Sequence, residues 1–392
     1  MDQSLPLRYG VISAGRMAGY TMQHIMADHP AAKPVAWFEL NPHRPDTAER
    51  IRQLLQRPIT SCASMEELLA RRDIDVILNT TPHFAHAQTS IAALKAGFPV
   101  LCEKPPACSW AQCQAMIDAS RATGQRLLIH FQHILRPSAR WLNQAICRGE
   151  LGRIRRVRCL SLWWRSCDYY RRVDWAGKRA WQGEPTLDGA MVNQTIHFLN
   201  QMLAFAQRTG ESHVAVPKNI RASLYRFHPA EVLEMEDTAV ATGTLDNEDR
   251  TEFFYAGTTC AVDAAGPDQS AEYFGIADNH KIVIEGEKGT ASWDGRARLK
   301  IDGQPEQVFD QPEGPWPFYF HVQRVLAGQE EPVTPVERAV SVMKFIFAAY
   351  DSVGQQIAGR DWALHESVSP VLRACHAQCK LPSELADPPA WA

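Results

Sequence analysis

Ser13, Gly15 and Ala18 are small residues at the spacing of a turn that lets main chain approach a pyrophosphate. They lie between a short apolar run, residues 9–12, and a helical pattern through Met22, Ile25 and Met26. A helix opening just after such a turn offers unpaired N–H groups and the positive end of its dipole to an anion. Ser13 stands where the full glycine pattern has its first glycine, and it pays for any positive φ. Glu39 follows Gly15 by 24 residues, at the end of a second apolar run. A carboxylate there accepts from both ribose hydroxyls and repels a 2′-phosphate, so the expected cofactor is NAD, favoured over NADP. Ser13, Gly15, Arg16, Met17 and Glu39 are therefore candidate cofactor contacts.

A second group combines Arg165, Tyr169, Tyr170, Arg172, Asp174 and Trp175 within eleven residues. Aromatic faces cover the C–H face of a sugar ring, while arginine and aspartate fix its hydroxyls. Arg165, Tyr169, Tyr170 and Trp175 are candidate substrate contacts on that ground, and an aromatic plug at a sheet end is the plain alternative.

These groups need elements to hold them. Apolar runs at 34–38, 73–78, 98–102 and 126–131 alternate with helical patterns at 86–94 and 109–123. Strands alternating with such helices predict a parallel sheet covered on both faces, with function at the C-terminal strand ends. Thr81-Pro82 and Glu103-Lys104-Pro105 fall at those ends. Segments from about 220 to 297 alternate as antiparallel strands. Turns are expected at 247–250 and 294–295. A strand is expected at 160–165. The fold class is α/β: an N-terminal Rossmann domain over 1–131 and a C-terminal α/β domain over 132–392 with a large, open, mostly antiparallel sheet. A helix at 336–358 is expected to pack back on the Rossmann domain, and residues 381–392 read as a surface arm.

The chain is similar to the glucose–fructose oxidoreductase / inositol dehydrogenase family. The resemblance is carried by the turn at 13–18, Glu39-Leu-Asn41-Pro42, the run from Asp75 to Pro82 with His86, and Glu103-Lys104-Pro105. It continues through residues 148–152, Asn193 to His197, Glu236-Asp237-Thr238 and residues 286–289. It implies NAD-dependent hydride transfer at a ring hydroxyl carbon of a sugar or cyclitol. By position, Lys104 contacts cofactor and substrate hydroxyl, and His197 transfers the proton. Thr81, His86 and Glu103 join the cofactor contacts, and Asn193 joins the substrate contacts. Asn193 stands where many relatives carry aspartate. Carbinol oxidation needs a base for the hydroxyl proton; histidine titrates in the right range, and lysine polarises the hydroxyl or accepts its proton. Two other readings use the same turn: a glycosidase that oxidises and re-reduces its sugar with bound NAD, and a non-catalytic NAD-binding regulator.

Composition sets the outer limits. The chain has 392 residues, 45% of them hydrophobic, and a net charge of −3. This excludes disordered and disulfide-stapled classes and a chain-wide basic field for nucleic acid. The four arginines within 153–158 read as the solvated face of a strand. Ten cysteines form no CxxC pair. The histidine pairs 83/86 and 130/133 lack a third ligand at useful spacing, so no metal is expected. No apolar run reaches membrane-spanning length, and no export signal is read. The expectation is a cytoplasmic homodimer or homotetramer joined through the C-terminal sheet.

Overall fold

The computed structural model describes residues 6–13, 15–28, 32–40, 59–207, 215–261, 280–309, 318–353 and 365–366. Asn41, Pro42, residues 354–358 and the 381–392 arm lie outside this set. The chain divides into two compact units, Met1–Arg136 with Pro312–Val340, and Pro137–Gln311 with Ser341–Ala392. The sequence expectation places one break after 131. The break falls slightly later, and a segment near the C-terminus rejoins the first unit. The expected helix forms as Val336–Ser352, and the unit boundary runs through it.

The first unit is built on a parallel sheet of β1 (Arg8–Ile12), β2 (Lys33–Phe38), β3 (Thr60–Ser61), β4 (Val76–Asn79), β5 (Val100–Cys102) and β6 (Leu127–Ile129). Their order is β3-β2-β1-β4-β5-β6, with every pairing parallel. The central strands β4 and β5 are buried throughout, as a sheet covered on both faces requires. Helix α1 (Arg16–Asp28) follows β1, α2 (Met65–Leu69) follows β3, α3 (His86–Lys95) follows β4, and α4 (Trp110–Thr123) follows β5. Local chemistry fixes the limits of α4: Ser109 Oγ accepts from Gln112 N at 3.2 Å, and Gly124 closes the helix at φ 68°. The returning segment closes the far edge. Ile129 N donates to Thr334 O at 3.1 Å, and Leu128 bridges Pro335.

The second unit is a nine-stranded sheet. Its strands are β7 (Ile154–Leu162), β10 (Pro217–Arg226), β11 (Thr238–Leu245), β12 (Glu252–Thr258), β13 (Lys281–Gly286), β14 (Gly289–Trp293), β15 (Ala297–Ile301), β16 (Gln307–Phe309) and β17 (His365–Glu366), with β8 (Ala180–Trp181) and β9 (Glu184–Pro185) as a separate ribbon. The order is β16-β15-β14-β13-β7-β12-β11-β10-β17, antiparallel except at β7–β12 and β10–β17. The strand expected at 160–165 starts earlier and ends at Leu162. It carries Arg155, Arg156 and Arg158 on its exposed face, while Val157 and Cys159 are buried. The inner face is covered by helices. Phe198 and Phe205 of α7 (Ile196–Phe205) pack 5.8 and 6.1 Å from Trp293, and Phe345 of α9 (Val336–Ser352) packs 4.9 Å from Phe253. The outer face leaves Leu160 and Phe254 each 40% exposed.

Candidate active site

Ser13 ends β1 in the left-handed region at φ 64°, buried, with its amide donating to Phe38 O at 2.7 Å. Its hydroxyl donates to Glu39 Oε1 at 3.2 Å, and its carbonyl accepts from Thr80 Oγ1 at 2.5 Å. Three hydrogen bonds hold a conformation that L-residues seldom adopt. Helix α1 begins at Arg16, directly after this turn, so helix amides and the Glu39 carboxylate meet at one strand edge. That donor and acceptor set fits a dinucleotide: helix N–H groups for the pyrophosphate and a carboxylate for the ribose. The cavity of about 500 Å³ lined by Ile74, Phe98, Pro99 and Arg126 is elsewhere. Those residues precede β4, β5 and β6, on the opposite edge of the sheet.

Lys104 follows β5 and is joined to Pro105 by a cis peptide bond. Both sides of its loop are anchored. His86 is 1% exposed, with Nδ1 2.6 Å from Pro105 O and Nε2 2.8 Å from Thr81 O. A neutral ring donates to one of these carbonyls and a protonated ring to both; burial pulls the His86 pKa below its ordinary value. Thr81 is set in turn by Asn79, whose Oδ1 accepts from Thr81 N and Oγ1 at 3.2 and 2.8 Å. Glu103 is buried, and its Oε1 accepts from Thr21 Oγ1 at 2.9 Å and lies 2.8 Å from His130 Nδ1. His130 Nε2 is 3.2 Å from the Tyr319 hydroxyl. Burial alone would push the Glu103 carboxyl up. The His130 ring outweighs it, helped by Lys104 and Thr21, and holds the pKa near about 2. The side chains of His86 and Glu103, expected as cofactor contacts, engage the chain itself on either side of the Lys104 loop.

In the second unit Asn193 precedes α7, and His197 is the second residue of that helix, buried. Asn193 Nδ2 donates to Asp188 Oδ1 at 2.5 Å and faces the Tyr169 hydroxyl at 3.3 Å. Asp188 is fully buried, with Oδ2 accepting from Gly177 N at 2.7 Å. A carboxylate thus stands beside residue 193 although that residue is an amide. Gln194 Nε2 donates to the same Tyr169 hydroxyl at 3.0 Å. The guanidinium carbons of Arg172 and Arg165 lie 3.7 and 4.9 Å from the Tyr169 ring centre, and Arg172 is 5.6 Å from that of the half-buried Trp175.

Tyr170 departs from the expectation of a substrate contact. It is buried, its hydroxyl is 2.9 Å from Thr259 Oγ1, and its ring edge meets His228 at 5.0 Å. Burial drives its pKa well upward. Glu236, behind the 187–193 loop, accepts from Met191 N at 3.0 Å and from the Tyr350 hydroxyl at 3.1 Å. Its pKa is raised to about 7 because burial outweighs those neutral donors. Among the described residues, the grouping with three possible metal ligands is His228, Asp237 and Cys260. Asp237 Oδ2 there already accepts from Phe227 N and His228 N and pairs with His228 Nδ1, while His228 Nε2 meets Arg165 O. The sequence reading missed Thr21, His130, Asp188, Gln194 and Tyr350. Asp188 and Gln194 had nearby signals, five residues before and one after Asn193.

Family models match both parts of the chain. An oxidoreductase-family NAD-binding Rossmann model covers residues 7–131, and a GFO/IDH/MocA C-terminal domain model covers residues 139–292. The chain belongs to the GFO/IDH/MocA oxidoreductase family. Among its relatives is an inositol 2-dehydrogenase/D-chiro-inositol 3-dehydrogenase of Shouchella clausii, 27% identical over 235 residues. That match covers 59% of this chain and 62% of the relative, less than two thirds of its length. An inositol 2-dehydrogenase of Gluconacetobacter diazotrophicus is 31% identical over 32% of this chain and 36% of its own. In fold, the chain is similar to the WlbA dehydrogenase of Bordetella pertussis solved with NADH and UDP-GlcNAcA, at TM-score 0.68 and 24% identity, over 88% of this chain and 96% of that one. It is also similar to a levoglucosan dehydrogenase solved with NADH and levoglucosan, at TM-score 0.69 and 16% identity, over 88% and 98%.

Proposed function

We propose that this family member is an NAD-dependent dehydrogenase acting on a ring hydroxyl of a sugar, sugar derivative or cyclitol. The observation that carries the reading is the strand-end pair in the first unit. A left-handed Ser13 turn tied to Glu39 and a Lys104 loop anchored by His86 and the Glu103–His130 pair belong to one parallel sheet. Bound NAD would supply the hydride acceptor. Helix α1 would hold its pyrophosphate and Glu39 its ribose, with Glu39 favouring NAD over NADP. Lys104 orients the substrate hydroxyl and polarises its O–H bond, and His197 takes the proton. Asn193 keeps the approach to His197 polar, and the Arg165–Tyr169–Trp175 group covers the ring.

The test is purified protein with NAD and a panel of monosaccharides, inositols and aryl glycosides, followed by NADH absorbance. Substrate-dependent NADH formation is expected, and Lys104→Ala should lower turnover at least about a hundredfold while NAD binding persists. Aglycone release without net NADH would replace the dehydrogenase with the redox glycosidase. Bound nucleotide with no turnover on any compound would favour a regulator.

The same proposal includes a homodimer or homotetramer formed through the outer sheet face, where Leu160 and Phe254 are exposed beside the Arg156–Glu252 and Arg156–Glu285 pairs. Light scattering of wild type and Phe254→Lys checks it; a monomeric wild type would refute it. No described helix is long and apolar enough to cross a membrane. A cytoplasmic setting belongs to this proposal.

A further inference from the structure

We propose that the substrate carries a carboxylate, as a uronic or other sugar acid does, and that Arg165 is the residue that binds it. This rests on the dehydrogenase reading and narrows its substrate class. Arg165 follows β7 and is only 7% exposed. A guanidinium keeps its charge in a protein, and burying it without an anion is costly. Among the described residues Arg165 has no acidic partner. Asp188 is engaged by Asn193, Gly177 and Arg172, and Asp237 is engaged through Oδ2 by His228 and two amides.

The guanidinium is held in place without being neutralised. Nη1 donates to Trp164 O at 2.7 Å, and the guanidinium carbon lies over the Trp163 and Tyr169 rings at 5.0 and 4.9 Å. These contacts fix the plane of the group and leave the Nε–Nη2 edge, on which a carboxylate docks through two parallel bonds. Nε is buried with no acceptor. A second unsatisfied atom belongs to the same cluster: Gln194 is 4% exposed, donates through Nε2 to the Tyr169 hydroxyl, and has a buried Oε1 with no donor. One side chain on Tyr169 thus lacks an anion and another lacks a donor. A hydroxylated carboxylate supplies both. Arg172, 3.7 Å from the same ring, adds positive potential that Asp188 offsets only at 4.0 Å.

The test is equilibrium binding to the NADH-loaded protein in phosphate-free buffer, with D-glucuronate and D-galacturonate against D-glucose, D-galactose and glucose 6-phosphate. The uronates should bind at least about tenfold more tightly than the neutral sugars, the scale of a charge-assisted pair. Arg165→Gln should erase that preference, bringing uronate binding down to that of the neutral sugars while NADH binding stays within about twofold, and Arg165→Lys should keep part of it. Equal wild-type binding of uronates and neutral sugars overturns the proposal and leaves the dehydrogenase reading standing. Tighter binding of glucose 6-phosphate overturns the carboxylate. NADH binding with no response to any sugar counts against the dehydrogenase reading and removes this proposal with it. If Arg165→Gln fails to fold, the wild-type comparison and Arg165→Lys still decide.

Discussion

Each unit buries a glutamate behind a site loop, and the two are held in opposite ways. Glu103 in the first unit faces His130, Thr21 and the Lys104 charge, and its carboxyl is pulled down to about 2. Glu236 in the second unit faces a backbone amide and a phenol, and burial lifts its carboxyl to about 7. The first loop is pinned by charge, the second by a carboxyl that burial pushes toward its protonated form. Burial is common to both, so the partners decide whether a buried carboxylate stays ionised.

The largest expected effect tests that contrast directly. Glu103→Gln leaves His130 facing an amide and should lower unfolding stability at pH 7 by about 3 kcal/mol, the scale for breaking a buried pair. Glu236→Gln replaces a carboxyl that is about half ionised at pH 7, against burial, with a neutral isostere, so it should leave stability unchanged or raise it. Urea unfolding of both variants measures the difference, and equal losses would erase the distinction. Next is Gly189→Ala, where the added Cβ would collide with the Glu236 carboxylate. Overpacking of this kind should cost about 2 kcal/mol in the same assay.

The pH response should separate the two sites further. The folded-state pKa of Glu103 lies below its ordinary value, so its stabilisation is full above about pH 4.5 and is lost as pH falls toward 2. That of Glu236 lies above, so its contribution is full below about pH 4.5 and is lost as pH rises through 7. Stability measured from pH 3 to 9 should fall on both sides, and Glu236→Gln should flatten only the alkaline side. The smallest effect concerns backbone strain. Ser13→Gly relieves φ 64° but removes the hydroxyl bond to Glu39, so stability should shift by less than about 1 kcal/mol while NAD binding weakens. Leu187 also has positive φ, at 48°, but is fully buried. Leu187→Gly should therefore lose stability where Ser13→Gly does not, which thermal melts of the pair will show.

What the sequence disclosed follows the range of the forces involved. Local signals were readable: the helical pattern of α4, the apolar runs of β1 and β2, and the arginines on the exposed face of β7. The turn at Ser13 was readable down to the cost of its φ. Long-range partnerships were not. Thr21 and His130 lie 82 and 27 residues from Glu103, so no local pattern marks them as its neighbours. For the same reason the sequence does not reveal the partners of His86, which are the carbonyls of Thr81 and Pro105. Tyr169 and Tyr170 are adjacent and chemically alike. Only the packing of Tyr170 on Thr259 and His228 tells them apart.

The strap that closes the first unit has a consequence for biosynthesis. Ile129 finds its acceptor at Thr334, and His130 its phenol at Tyr319, so residues made early wait for residues made late. A ribosome must deliver residues 137–311, the larger part of the second unit, before the loop bearing Lys104 gains its last support. The nucleotide half, though translated first, is completed near the end of synthesis, and a chain halted at residue 311 would leave it unfinished.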